Sequence, residues 1–469
     1  MPFEDSLYKY LKFYKHAPEG LKRFLAMFYN LLPCTIRYGR HYSYFNNLVR
    51  QSKKWDKDEI EHYQLKQINL LLEESKRFVP FYKKKFKNIK LPIKSLDTFS
   101  KAVPLVTKEE IKNHYKDFIN PNIPGSKTIT CSTGGTTGEP LKVRYEKGIN
   151  RTKELIYMND QWRRVGFKNN DLRVVFRSSL IRDRGGDRLW EFDPIKNRYF
   201  FSSFDLSDEV IERYIKKMEE IRPGYLHVYP SVLTIIASYM KKKGITIDFI
   251  KAIFSGSENT YPGQIKLFEA VFNARVFRWY GLAEASALAG SCEYNDCYHC
   301  YPTYSFTELV DAAGKPVRDL DEKGEIVGTT FHNYAMPLIR YRTEDYAVYG
   351  GDKCPECNRI GLLFKEIEGR AQEVIYDRSG NRYSLGPFIF GIHEELWSNV
   401  KAVQFEQFER GKLILRAVSN NLEARKLENY LKKKFIPMFS NNFEIDIIPV
   451  ENIERSMTGK HRYLIQHIK

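Results

Sequence analysis

Residues 131–140 read CSTGGTTGEP, three glycines and four hydroxyl side chains in ten positions. Gly134, Gly135 and Gly138 let the backbone turn tightly and bring its N–H groups close to a ligand. With the hydroxyls of Ser132, Thr133, Thr136 and Thr137 they form a donor set that suits a phosphate. The common phosphate loop places a Lys right after its last Gly and then opens a helix. Here Glu139 and Pro140 follow Gly138, so the cation must come from elsewhere. A flexible hairpin loop is the plainer alternative.

A second chemistry-bearing group lies in SCEYNDCYHCYP (291–302) and CPEC (354–357). Thiolates and imidazole suit tetrahedral Zn²⁺, and spacing alone picks Cys297, Cys300, Cys354 and Cys357 from two C-x-x-C pairs. Buried free thiols are the alternative. Seven cysteines form no even framework, and the C-x-x-C pairs favour a reducing compartment over disulfides.

The elements that must hold these residues follow from periodicity. LKVRY (141–145) alternates apolar and polar residues, which predicts a strand and makes the glycine-rich stretch a loop between two strands. DLRVVFRSS (171–179) and IKAIFSGSE (250–258) read as buried strands ending in polar loops. SDEVIERYIKKMEEI (207–221) and PGQIKLFEAVF (262–272) carry helical spacing. Such alternation predicts an α/β architecture with sites at strand C-termini. Residues 1–90 read as mostly helical, and Thr107 with Glu110 has the form of a capping box. GEIVGTTF (324–331) and PLIRYRTED (337–345) predict a more antiparallel, β-rich part. AVQFEQF, KLILRAV, NLEARKLENYLKKKF and FEIDIIPV then predict a small α+β unit. The expected boundary falls at 371/372, with 1–75 a helical extension of the first domain.

The chain has 75 Lys and Arg against 58 Asp and Glu, a net charge of +17. That charge admits nucleic acid, an anionic membrane face or anionic metabolites as partners. It is scattered rather than blocked, so a solvated basic surface competes with all three. No apolar run reaches the ~18 residues of a membrane span, and the N-terminus lacks a signal-peptide core. The chain is therefore expected in the cytoplasm, without a transmembrane segment. LKRFLAMFYNLL (21–32) is amphipathic, and a helix packed on the protein is favoured over a membrane-surface anchor.

Six dispersed pieces occur in one order: STGGTTGEP, GSE, WYGLAE, IRYRTED, EGR and TGK. Together they resemble the adenylate-forming superfamily of acyl-CoA synthetases. Within it they are most similar to the branch of phenylacetate–CoA ligases, F390 synthetases and CapK-type capsule biosynthesis proteins, over roughly residues 75–469. The resemblance implies a large N-terminal domain and a small, mobile C-terminal α+β domain. It implies ATP-dependent conversion of a carboxylic acid to an acyl-AMP, release of pyrophosphate, and transfer to CoA or an amine.

By the same resemblance, Ser132, Thr133, Gly135, Thr136, Thr137 and Gly138 would surround the nucleotide phosphates. Ser257 and Glu258 would border the adenine and Tyr280 would stack near it. Asp345 would grip the ribose, Arg370 would approach ribose or phosphate, and Glu284 would ligate Mg²⁺. Lys460 would bridge the attacking carboxylate and the α-phosphate. A zinc set of Cys292 and His299 with Cys354 and Cys357 is implied, against the spacing-only set above. The acid pocket would lie near FRSSLIRDRGG, where Arg177, Arg182 and Arg184 suit a polar or sugar-linked acid. The chain has Glu139 where the family usually has Lys, and Glu344 where it usually has Gly. A catalytically weakened scaffold in capsule assembly and a basic zinc protein on nucleic acid are the competing functions.

Overall fold

In a computed structural model of the chain, the described residues are 14, 17–132, 141–177, 189–203, 206–257, 260, 262–368, 374–385, 388, 399–419, 422–439, 442–453 and 464–468. The expected boundary at 371/372 lies outside them. The chain divides into two compact units, one formed mainly by 1–133, 141–169 and 277–369, the other mainly by 170–276 and 370–469.

The first unit opens with helices, and local chemistry sets their ends. Asp56 and Glu59 form a reciprocal capping box at the start of the Lys57–Phe78 helix. Thr107 and Glu110 form the expected one: the Glu110 N–H donates to Thr107 Oγ1 at 3.1 Å and the Thr107 N–H to Glu110 Oε2 at 2.9 Å. The glycine-rich stretch is flanked by strands as predicted: β1 (Thr128–Ser132) pairs antiparallel with β2 (Lys142–Glu146).

The helix Asn150–Arg163 is largely buried. Lys153 on it is 1% exposed. Its Nζ donates to the carbonyls of Tyr304 (3.0 Å) and Phe331 (2.8 Å) and lies 4.0 Å from the Tyr304 ring centre. Burial lowers its pKa to about 7, against a smaller opposing pull from Glu154.

The helix Glu19–Leu31 departs from expectation. Its buried residues are Lys22, Ala26 and Tyr29. Leu21, Phe24, Leu25, Met27, Phe28 and Leu31 are exposed, Leu31 at 73%. The helix is amphipathic as expected but turns its apolar stripe outward rather than onto the protein.

The β-rich part of this unit is an antiparallel array in the order β11 (Ser305–Val310), β12 (Lys323–Thr330), β13 (Tyr341–Tyr349), β14 (Leu363–Glu368), β10 (Tyr298–Cys300), β9 (Leu288–Ser291), β8 (Arg275–Gly281). The predicted strand at 337–345 starts only at Tyr341. Arg340 has a left-handed φ of 48°, and its buried guanidinium is clamped by Glu308 (3.1 and 3.2 Å) and the Val103 carbonyl (2.7 Å).

In the second unit β3 (Arg173–Phe176), β5 (Arg198–Phe201), β6 (Tyr225–Val228) and β7 (Ala252–Gly256) run parallel, with β4 (Trp190–Asp193) antiparallel at the edge. Helices Asp208–Ile221 and Pro230–Lys242 supply the crossovers from β5 to β6 and from β6 to β7, and helix Pro262–Phe272 follows β7. The C-terminal elements form the hairpin of β15 (Val374–Tyr376) and β16 (Arg382–Ser384) and a four-stranded sheet. That sheet runs β19 (Glu444–Pro449), β18 (Lys412–Ser419), β17 (Val400–Gln407), β20 (Leu464–Gln466). The helix Ala424–Phe435 buries Leu427, Leu431 and Phe435, one per turn. The α/β class with a small α+β C-terminal part is what the sequence predicts.

Candidate functional site

Two chemistry-bearing groups assemble in the first unit from residues distant in sequence. β8 ends at Gly281, and the turn Leu282–Ala285 follows, closed by the Ala285 N–H to the Leu282 carbonyl at 2.9 Å. Ala285 takes a left-handed φ of 51°. The Tyr145 hydroxyl of β2 donates to the Ala283 carbonyl and fastens the turn from below. Glu284 is thereby held in a buried position, where its Oε1 accepts from the Tyr341 hydroxyl at 2.9 Å. Burial raises its pKa; the Tyr341 hydrogen bond and the Lys108 ammonium act in the opposite sense. Lys108 carried no motif signal in the sequence. Gly328 on β12 lies so close to the Ser286 carbonyl that a Cβ there would overlap it.

Asp345 comes to the same place through an irregularity in β13. Tyr346 pairs with Glu325 and Arg342 with Val327, so three residues bulge opposite Ile326 alone. Within the bulge the Thr343 hydroxyl donates to the Ile326 carbonyl at 2.7 Å and accepts the Asp345 N–H at 3.2 Å. Glu344 adopts a φ of 63°, the conformation that favours Gly. Its N–H is drawn to Glu325 Oε1 at 3.1 Å, and Glu325 is itself paired with Arg342. That charge-assisted bond offsets a strain of roughly 1–2 kcal/mol. Asp345 is left half-buried, and its Oδ2 accepts from the Tyr280 hydroxyl at 3.0 Å. Burial raises the Tyr280 pKa, and Asp345 adds to the shift. Tyr280, Glu284, Tyr341 and Asp345 thus form one cluster of two carboxylates, each fixed by a phenol.

The other expected nucleotide contacts divide. Ser132 ends β1 at the mouth of the glycine-rich stretch. Thr133, Gly135, Thr136, Thr137, Gly138, Glu258, Arg370 and Lys460 lie outside the described residues, as do Arg182 and Arg184. Ser257 belongs to the second unit and follows β7 with a φ of 69°. There the Arg177 guanidinium lies 5.0 Å from the Tyr229 ring centre, donates to Ser257 Oγ, and meets His227 Nε2 at 2.5 Å. Burial, then the Arg177 charge, holds His227 well below the usual histidine range. Arg177 is therefore an anchored side chain rather than a solvated loop charge.

The cysteines form the second group. Cys292, His299, Cys354 and Cys357 bring their ligand atoms within 4.8 Å of one another. The Cys292 and Cys354 sulfurs are 4.0 Å apart, and Cys357 Sγ is 3.5 Å from His299 Nε2. Tetrahedral zinc with ~2.3 Å bonds to sulfur sets ligands ~3.8 Å apart, so the donor set and its spacing fit that ion. The Tyr294 N–H (3.4 Å) and Asn295 Nδ2 (3.3 Å) point at Cys292 and Cys354 sulfurs, the polar support that thiolates need. Strand alternation explains why the clustered set differs from the one picked by spacing alone. On β10, His299 faces the cluster while Tyr298 and Cys300 face an apolar core with Ala287 and Ala289. Cys297 also lies outside the four-residue cluster.

No protein-family profile matches the chain. Protein CapK of Staphylococcus aureus is 21% identical over 97% of this chain and 99% of its own length. A phenylacetate-coenzyme A ligase of Aromatoleum evansii is 24% identical over 71% of this chain and 75% of its own. Among solved structures, 2-hydroxyisobutyryl-CoA ligase, in complex with 2-HIB-AMP and CoA, superposes with a TM-score of 0.57 at 18% identity. That match covers 89% of this chain and 91% of the ligase. An open conformation of the same ligase gives a TM-score of 0.54.

Proposed function

We infer that this chain, an adenylate-forming, CoA-ligase-like protein by fold and by its relatives, activates a carboxylic acid with ATP and passes the acyl group to CoA. The observation that carries this reading is the paired carboxylate cluster. Motifs some sixty residues apart converge with one carboxylate buried and one half-exposed, each oriented by a tyrosine. Asp345 offers two acceptor oxygens to a vicinal diol, which suits a ribose. Glu284 is a hard oxygen donor that suits Mg²⁺, and the ion when bound supplies neutralising charge for the phosphates. Ser132 and the rest of the glycine-rich stretch supply neutral donors. Lys460 is assigned the adenylation step: a fixed ammonium that meets carboxylate and α-phosphate as charge builds between them. Cys292, His299, Cys354 and Cys357 hold a structural zinc.

The full-length likeness to CapK supports a sugar-linked acid from surface-polysaccharide assembly, and an amine is the alternative acceptor. Asp345→Asn should weaken Mg-ATP binding by about tenfold to a hundredfold in calorimetry, from loss of charged hydrogen bonds. Lys460→Ala should bind Mg-ATP but lose acid-dependent exchange of pyrophosphate into ATP. Undiminished binding and exchange in these variants would sink the assignment. Binding without exchange for every acid tried would point to a scaffold.

A further inference from the structure

The outward-facing helix Glu19–Leu31 takes no part in the chemistry above. Its exposed Leu21, Phe24, Leu25, Phe28 and Leu31 stand at positions i, i+3, i+4, i+7 and i+10, with Met27 beside them. At ~100° per residue they cover roughly 160° of the helix circumference, along about 15 Å of its length. An ordinary surface helix buries this stripe and exposes its polar face. Here Lys22, Ala26 and Tyr29 face inward instead. Ile36 on the next helix, Cys34–Tyr38, is 51% exposed and adds to the apolar surface. A contiguous patch of this kind on one element marks an interaction surface.

The charge around it selects the partner. Residues 1–55 hold ten Lys and Arg against three Asp and Glu, while the chain as a whole is far more balanced. Arg23 on the helix and Arg40 are exposed, Arg23 in an ion pair with Glu19 at 2.8 Å. Lys22 sits under the helix, with its Nζ 5.7 Å from the Tyr14 ring centre. Arg37 lies 5.4 Å from the Tyr29 ring centre and 5.5 Å from that of Tyr38. Two copies apposed through this face would bring like charge against like charge, because a two-fold interface pairs a patch with itself. An anionic lipid surface opposes that charge and accepts Phe and Leu side chains below its headgroups.

We propose that Glu19–Leu31 is an interfacial helix that seats this protein on an anionic membrane face. Phe24, Phe28 and Leu31 enter the acyl boundary, and the exposed Arg23 and Arg40 meet lipid phosphates. The full-length protein should co-sediment with vesicles of phosphatidylcholine plus phosphatidylglycerol, and weakly with phosphatidylcholine alone. Raising salt should release it. Phe24→Ser/Phe28→Ser should weaken binding at least about tenfold, given two exposed aromatic rings removed from the lipid phase. Its melting temperature should hold, since neither ring is buried. Failure to bind anionic vesicles overturns the proposal. So does a lipid-independent dimer in light scattering that the double variant dissociates, which would make a second copy the occupant. Binding that the double variant leaves unchanged overturns it as well.

Discussion

Replacing Lys153 by Met tests whether the buried amine of the first unit is neutral. The side chain is 1% exposed and donates to two carbonyls, the number a neutral amine satisfies with its two hydrogens. Its pKa is lowered from 10.5 to about 7. Between those values the unfolded chain carries a proton that the folded chain lacks. Stability therefore rises with pH across that window, at ~1.4 kcal/mol per unit once above the folded pKa. From about pH 7 to about pH 9 the gain from this one group comes to about 2 kcal/mol. The Met variant has no such term. It does leave two carbonyls without their donor, at a cost of ~1–3 kcal/mol that does not depend on pH. The assay is urea unfolding followed by tryptophan fluorescence for both proteins at several pH values, reading the transition of the unit that holds Lys153. Subtracting variant from wild type cancels the titrating groups that do not interact with Lys153, Glu154 being the one neighbour named above that does. The difference should grow by about 2 kcal/mol in favour of wild type between about pH 7 and about pH 9. A flat difference would refute the reasoning. It would mean that the Tyr304 ring and Glu154 hold a full ammonium charge in the core.

Two further outcomes follow from the first unit. Arg340→Met should destabilise it by ~3–5 kcal/mol, because Glu308 would stay buried without its charge partner; denaturant midpoints measure this, and adding Glu308→Leu should recover part of the loss. Purified protein should carry about one zinc per chain by metal analysis, in line with the one four-ligand Cys/His cluster among the described residues. Cys292→Ser and Cys354→Ser should lose it while Cys297→Ser and Cys300→Ser retain it, and the reverse pattern would restore the spacing-only ligand set.

Local signals in the sequence reached the secondary structure because they depend on neighbours in the chain. Thr107 and Glu110 are three residues apart, and the capping box forms. Leu141, Val143 and Tyr145 alternate and bury their side chains on β2 and its entry. What the sequence hid depends on partners far away. The outward roll of Glu19–Leu31 leaves no trace in its periodicity, since a stripe has the same spacing whichever way it faces. The bulge at 343–345 is set by Glu325, almost twenty residues upstream, which draws the Glu344 N–H and makes a non-glycine residue tolerable there. Cys297 and Cys300 have better spacing than Cys292 and His299, yet the strand turns Cys300 into the apolar core. Lys108 acts on Glu284 across more than a hundred and seventy residues, a distance no local pattern spans.

Gly328 carries no functional group, yet it decides how high Glu284 stands. The loop bearing Ser286 rests on the bare backbone of β12 where a side chain would begin. A methyl group there would act as a wedge and lift Ser286, and with it the carboxylate two residues earlier. Displacements of ~1 Å at reacting groups cost on the order of a hundredfold in rate. If Glu284 has the role proposed above, Gly328→Ala should lower turnover on that order, at a position with no chemistry of its own.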